Sequence, residues 1–251
     1  MTDALLDRLR RLREWAPTFS SAGLALAARA GTDVRRLAAA LALVESLYPL
    51  ELRGHTLAEG VDAGLVDRLL AHAPEVDRLE DDYAAHHDAS WPLWISGRPY
   101  PPAADRLHVP GSSWAGKPVG ALYTSDATPA FPGMWFAHLL GDGEHPLPWY
   151  AWRLHVGQPV RELVISSARE WCALVARHGT GRGLVDWSAV ARSWDAVRVT
   201  PRAVLAVDAF AFTHEGRSLV PVHWGVETTV WLRWVFDRVE PVALPSFVDA
   251  W

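Results

Sequence analysis

The chain has 251 residues and a formal net charge of −5, and half of its residues are apolar, as in a globular protein. The lone cysteine, Cys172, excludes an internal disulfide framework and a zinc site built on cysteines. The acidic balance argues against broad nonspecific binding to nucleic acid, and no apolar run reaches the ~20 residues of a transmembrane helix.

Residue usage adds two expectations. All 24 basic residues except Lys117 are arginine, and alanine is abundant, which indicates a GC-rich bacterial genome. The N-terminal residues turn amphipathic at once and lack a basic-then-apolar signal sequence, so we expect a cytoplasmic protein. Of the 14 tryptophans, all but Trp15 follow residue 90, which predicts that the later part of the chain is packed around aromatic side chains.

Residues 1–87 are predicted to form a helical domain. Apolar residues recur there at steps of three and four, with caps and breakers between them. The predicted helices run to Trp15 and over 22–30, 34–47 and 66–79, and Thr56 with Glu59 forms a capping box for a further turn.

Residues 88–105 are predicted to be a proline-rich linker. Pro99, Pro101 and Pro102 fall within four residues, which forbids a helix and favours an extended chain. We therefore place a domain boundary between the helical region and residue 106.

Residues 106–251 alternate between short β-like runs and helices. Strands are predicted over 106–109, 120–125, 149–156, 160–165, 196–200 and 203–207, and β-like segments over 226–236 and 239–244 end the chain. Helices are predicted from a Ser167 cap to residue 178 and from an Asp186 cap over 187–193. The predicted fold class is α+β: a helical N-terminal domain followed by a mixed, mainly antiparallel β domain.

Three segments of this second region stand out, in chain order. His108 ends a short predicted strand before a turn, and residues 120–126 carry Tyr123 within a glycine-led run that Trp135 follows. In the third segment, Glu227 opens an otherwise apolar strand. Burying an ionised carboxylate is costly unless it is paired or reaches a cleft, so a glutamate at this position indicates a specific role.

In these three segments the sequence resembles the ADP-ribosyltransferase superfamily, in the histidine–tyrosine–glutamate branch that includes diphtheria toxin and the poly-ADP-ribose polymerases. Residues 120–126 look like the family's Gly-x-x-Tyr-x-x-Asp stretch, and residues 225–231 look like its glutamate-bearing strand. The resemblance spans residues 106–236, about half of the chain. It implies an ADP-ribosyltransferase-type fold for residues 106–251.

The resemblance also implies a chemistry. NAD, the substrate, is cleaved between nicotinamide and ribose through an oxocarbenium-like transition state, and no metal is needed. Glu227 would be the catalytic carboxylate, which binds the ribose 2′-hydroxyl and stabilises the developing positive charge. His108 would be the histidine of the first strand and fix the ribose hydroxyls, and Tyr123 would stack on the nicotinamide ring. The other residues expected to hold NAD are Thr124, Ser125 and Trp135, and Lys117, in the loop before Tyr123, could meet an NAD phosphate.

Several alternatives stay open. Arg106 could take the first-strand role in place of His108, and Trp135 could equally be a core residue. The domain could be a transferase-like binding module that has lost catalysis, or an unrelated α/β hydrolase that uses a histidine and a carboxylate from the Asp142–His145 loop. The acceptor could be a protein, a nucleic acid, a small molecule or water, and the helical domain could recognise the target or cover the active site. The sequence predicts no membrane partner and leaves the oligomeric state open.

Overall fold

In a computed structural model of the chain, the described residues are 58–71, 90–109, 113–114, 116–128, 133–136, 139, 147–208 and 210–244. The helices predicted before residue 58 lie outside these ranges, as do Asp142 and His145. Within the ranges, no helix has both the length and the apolar character needed to cross a bilayer.

The elements are named here in chain order. The strands are β1 (Ala58–Val61), β2 (Trp91–Ser96), β3 (Ser113–Trp114), β4 (Lys117–Pro118), β5 (Leu122–Ala127), β6 (Tyr150–Val156), β7 (Glu162–Ile165), β8 (Ala196–Val199), β9 (Phe210–His214), β10 (Arg217–Ser218), β11 (Thr228–Trp231) and β12 (Phe236–Val242). The helices are α1 (Ala63–Leu70), α2 (Ala168–His178), α3 (Trp187–Ser193) and α4 (Pro201–Val207), with a 3-10 turn at Ala104–Arg106.

A seven-stranded sheet organises the described chain, in the order β12-β6-β2-β5-β11-β8-β7. Every neighbouring pair in it is antiparallel except β7 and β8, which are parallel. Parallel neighbours need a long crossover, and α2 and α3 supply it. The prediction of a mixed α+β fold with a mainly antiparallel sheet is therefore confirmed.

Both helices of this crossover begin at the caps that the sequence predicts. The Ser167 side chain accepts the N–H of Glu170 at 3.2 Å at the start of α2. Asp186 accepts the N–H of Ala189 at 3.1 Å at the start of α3. These oxygens satisfy N–H groups that have no partner inside the helix, which fixes where each helix starts.

A second sheet joins β1, β9 and β10, and it brings the early part of the chain into the fold. β1 pairs in parallel with β9, and Val66 and Leu70 of α1 are buried in the same cluster as the helices of the crossover. β1 and α1 therefore join elements that follow residue 106, across the boundary predicted at residue 87. β1 is also a strand where the Thr56–Glu59 capping box predicts a helical turn, and that prediction is wrong.

The predicted linker also contains a strand of the main sheet. β2 pairs with β5 over Trp91–Leu93 and with β6 over Leu93–Ser96. Pro92 lacks an N–H group, but it lies where β2 pairs with β5 alone, so no second ladder is interrupted there. The linker prediction rests on the three prolines after residue 98, and the apolar residues before them form the strand.

Two further predicted strands are wrong. Residues 106–109 do not form one, because Arg106 ends the 3-10 turn and the chain continues without a strand. Residues 203–207 lie in α4, where the Thr200 side chain accepts the N–H of Ala203 at 3.3 Å and Pro201 occupies the first turn. This cap and proline outweigh the β-branched composition of the segment.

Hydrophobic clusters fill the space on both sides of the main sheet. The first joins the helices to one face of β8 and β11 and contains Trp171, whose ring centroid lies 6.4 Å from that of Trp187 and 5.9 Å from that of Trp224. The second, on the other face, contains Leu122, Trp152, Leu154, Ala196, Trp231, Val235 and Phe236. The third contains Leu93, Ile95, Ala127, Phe136, Leu139 and Ala151.

Candidate functional site

The two strands that carry the predicted site are neighbours at the centre of the main sheet. β5 and β11 run antiparallel, with Tyr123 opposite Val230 and Thr124 opposite Thr229. The Trp231 indole N–H donates to the Thr124 hydroxyl at 2.8 Å, across the two strands. The segments around Tyr123 and Glu227, more than 100 residues apart in sequence, therefore share one register.

Glu227 immediately precedes β11 and has no exposed surface. Its carboxylate turns toward β5, where Oε2 accepts the backbone N–H of Asp126 at 3.4 Å. Its backbone carbonyl accepts the hydroxyl of Ser125 at 3.5 Å. The carboxylate is therefore held against the end of β5.

Trp135 reaches the same end of β5 through Ser125. The Trp135 backbone N–H donates to Ser125 Oγ at 2.8 Å. The close approach requires glycine at position 133, since a Cβ there would lie 2.9 Å from the Cβ of Ser125 and 3.0 Å from the carbonyl oxygen of Asp126. Ser125 thus links a half-buried indole to the segment that carries Glu227.

Tyr123 is displaced from Glu227 along the sheet. Its register partner, Val230, is three residues from Glu227, a separation of about 10 Å along the strand. The Tyr123 hydroxyl donates to the Pro118 carbonyl, and burial raises the pKa of this phenol well above its usual range. Tyr123 packs against the first cluster, whereas Leu122 on one side of it and Trp231 belong to the second.

His108 and Arg106 are not brought to Glu227. Both side chains are exposed, and neither residue lies in a strand. The His108 backbone N–H donates to the Gly120 carbonyl at 3.0 Å, two residues before β5, at the end of β5 away from Asp126. His108 was predicted to end a first strand, and that structural setting is wrong.

Lys117 lies over the first cluster, beside a pair of titratable residues that sequence reasoning missed. Its ammonium group is 5.4 Å from the centroid of the Trp224 ring. Next to it, Asp208 Oδ1 is 3.9 Å from His223 Nδ1. Asp208 follows α4 and bridges to Val222, so residues distant in sequence are joined here.

Burial shapes the ionisation of this pair. The Asp208 side chain is only 2% exposed, and its burial raises the pKa of the carboxyl to about 7, although Lys117 and the backbone N–H of Trp224 act in the opposite direction. Burial and Lys117 both lower the pKa of His223. Among the described residues, Asp208 Oδ1 and Trp224 Nε1 are buried and have no hydrogen-bond partner, which is unusual for polar atoms in a protein interior.

Neither a metal site nor a reactive thiol emerges from the part of the chain that the structure describes. In that part, no group of three or more histidine, cysteine, aspartate or glutamate side chains is arranged to hold a metal ion. Cys172 is buried in the first cluster, and burial raises the pKa of its thiol to about 12.

Comparison of the chain with protein-family models, with curated proteins and with solved structures finds no match.

Proposed function

We propose that the chain cleaves NAD and transfers its ADP-ribosyl group, with Glu227 as the catalytic carboxylate. The observation that carries the proposal is the set of contacts at one end of β5, where Glu227, Asp126, Ser125 and Trp135 are held together. This end of the sheet brings an oriented carboxylate close to the backbone of a tryptophan. A carboxylate can stabilise the positive charge that develops on the ribose, and an aromatic side chain can stack on nicotinamide.

In the proposed step, the bond between ribose C1′ and the nicotinamide nitrogen breaks, and both bonding electrons leave with neutral nicotinamide. The acceptor nucleophile forms a bond to C1′ and loses its proton; when water is the acceptor, the product is ADP-ribose. Glu227 would accept a hydrogen bond from the ribose 2′-hydroxyl and stabilise the positive charge that develops on the ribose ring.

Trp135 is the aromatic residue that we assign to the nicotinamide ring. Its backbone is held beside Ser125, next to the Glu227 segment, and its half-buried side chain packs against the third cluster. Tyr123 lies about 10 Å along the strand from Glu227 and its hydroxyl donates to the Pro118 carbonyl, so we assign it to supporting the strand. Thr124 likewise stabilises the sheet, because its hydroxyl accepts a hydrogen bond from the Trp231 indole N–H.

One observation favours a second candidate, a binding module without catalysis. Glu227 has no exposed surface, so its carboxylate meets a ligand only if the surrounding side chains open a path. A module of this kind would bind NAD or ADP-ribose and leave the glycosidic bond intact.

Nicotinamide release separates the two candidates. The purified full chain is incubated with NAD, and free nicotinamide is quantified by chromatography. We expect release by the wild type and a loss of at least ~100-fold in Glu227→Gln, because the neutral amide stabilises the oxocarbenium charge poorly. Glu215→Gln is the matched control, since Glu215 is exposed in the β9–β10 turn.

Two results would contradict the proposal. Full turnover by a folded Glu227→Gln protein removes this residue from the reaction. Binding of NAD by the wild type with no nicotinamide release selects the binding module. Thermal unfolding of each variant shows whether the replacement at the buried position has disturbed the fold.

A further inference from the structure

A cleft opens on the face of the main sheet that carries the second cluster. Its volume is about 320 Å³, at the small end of the range for small-molecule sites. Leu107, Leu122 and Trp94 form part of its lining, and all three pack against the second cluster. Its lining includes none of the residues assigned above to NAD cleavage.

Aromatic rings form the walls of this cleft. Trp94 stands on β2, with its ring centroid 5.1 Å from that of Trp152. Trp234 is fixed by its indole N–H, which donates to the Phe236 carbonyl at 2.8 Å. Tyr100, at the mouth, is 60% exposed, although a tyrosine ring is costly to leave in water.

Two arginines supply the charge. Arg98 and Arg106 line the cleft, and neither forms an ion pair with any residue in the described ranges. No aspartate or glutamate is among the described lining residues. The described lining therefore carries two positive charges and no negative one, in a chain whose net charge is −5, and this favours anions.

We propose that this cleft is a binding site for a phosphorylated aromatic compound of the size of a mononucleotide. The rings of Trp94, Tyr100 and Trp234 offer stacking surfaces for one planar ring. A phosphate group has enough oxygens to engage two guanidinium groups, whereas one guanidinium already satisfies both oxygens of a carboxylate. The proposal does not depend on NAD cleavage.

Calorimetric titration of the full chain with four probes tests the combination of ring and anion. AMP and phenyl phosphate carry both groups, adenosine carries the ring alone, and inorganic phosphate carries the anion alone. We expect AMP and phenyl phosphate to bind at least tenfold more tightly than either fragment. Inorganic phosphate binding as tightly as AMP would overturn the aromatic part of the proposal.

Variants assign the binding to the cleft. In the double variant Arg98→Gln/Arg106→Gln we expect AMP affinity to fall at least tenfold, since bonds to charged groups are the strong ones. Tyr100→Ala should weaken AMP and leave inorganic phosphate unchanged. Arg182→Gln, another exposed arginine outside the cleft, is the matched control. Unchanged AMP affinity in the double variant would overturn the site.

A last experiment distinguishes AMP binding in this cleft from AMP binding at the proposed NAD site. AMP titration is repeated with Glu227→Gln and Trp135→Leu, neither of which lines the cleft. AMP binding that persists in both variants and disappears in the arginine double variant supports the cleft, whatever the outcome for nicotinamide release. AMP binding lost in Trp135→Leu and kept in the double variant contradicts it.

Discussion

The carboxylate of Glu227 and the backbone of Asp126 face each other across β11 and β5, with Oε2 accepting the Asp126 N–H at 3.4 Å. The contact orients a buried carboxylate from the neighbouring strand. The backbone of Trp135 is bonded to Ser125 at the same end of β5. Substitutions of Glu227 and Trp135 therefore test the proposed reaction most directly.

Trp135 and Tyr123 are the two candidates for stacking on nicotinamide, and substitutions of them should affect the KM for NAD differently. Trp135→Leu should raise the KM for NAD about tenfold, because stacking on one aromatic ring contributes ~1–3 kcal/mol, and Trp135→Phe should retain most of the affinity. Tyr123→Phe loses only the hydrogen bond to Pro118, so it should lower the free energy of unfolding by about 1 kcal/mol with KM unchanged. Steady-state kinetics and chemical denaturation measure both effects. A raised KM in Tyr123→Phe with none in Trp135→Leu would return the stacking role to Tyr123.

His108 should be dispensable. Its side chain is exposed and its backbone bonds to Gly120, at the end of β5 away from Glu227. We expect His108→Ala and Arg106→Ala to release nicotinamide within about twofold of the wild type, since neither side chain reaches the carboxylate. A large loss of turnover in either variant, with its thermal stability intact, would restore that residue to the NAD site.

Local signals explain which elements could be predicted. Ser167 and Asp186 cap their helices through bonds to backbone N–H groups nearby in sequence, so both starts are visible without the fold. β2 was missed because its strand signal is short and is followed by prolines. The composition of residues 203–207 does not distinguish a helix from a strand, because a buried helix and a buried strand are both apolar; the local signal for the helix is its start at Thr200 and Pro201.

Long-range contacts explain what could not be predicted. The proximity of Asp208 to His223 depends on the bridge between Asp208 and Val222, and no local spacing signals it. The cleft combines arginines of the 97–107 segment with Trp234, far along the chain. The pairing of the Tyr123 and Glu227 segments as neighbouring strands came only with the fold, because the resemblance implies a shared site and says nothing of which strands are neighbours.

Asp195 should be a strong determinant of stability. It is largely buried and accepts hydrogen bonds from the Arg161 side chain at 2.9 and 3.2 Å and from the Arg161 backbone N–H at 3.0 Å. Asp195→Ala leaves that N–H without its partner, so we expect a loss on the order of 1–2 kcal/mol in denaturant unfolding. Arg161→Ala should cost clearly less, because half of that side chain is already in water.

The same pair predicts acid sensitivity. The hydrogen bonds from the Arg161 side chain hold the pKa of Asp195 below its usual value. A carboxyl with a lowered pKa in the folded state contributes stability above its unfolded pKa and loses it as the pH falls through the folded value. Asp195→Asn should therefore flatten the fall in stability below about pH 4. An acid limb identical to that of the wild type would contradict this.

Asp208 predicts the opposite pH dependence. Burial raises its pKa to about 7, so the folded chain binds a proton that the unfolded chain releases near pH 4. The contribution of Asp208 to stability then falls as the pH rises, on the order of 2–3 kcal/mol between pH 5 and pH 8. Asp208→Asn removes the ionisation while keeping the shape of the side chain. We expect the free energy of unfolding of this variant, relative to that of the wild type, to increase as the pH rises. Urea titrations at pH 5, 6, 7 and 8 measure this difference.

Asp105→Asn is the matched control for this series, because Asp105 is exposed in the 3-10 turn. His223 and Lys117 lie beside Asp208, so His223→Gln is measured as well. Removing His223 should leave the downward trend in place, since burial and Lys117 both lower the pKa of this imidazole and so disfavour its charged form. A parallel pH dependence in wild type and Asp208→Asn would show that Asp208 is already ionised at pH 5.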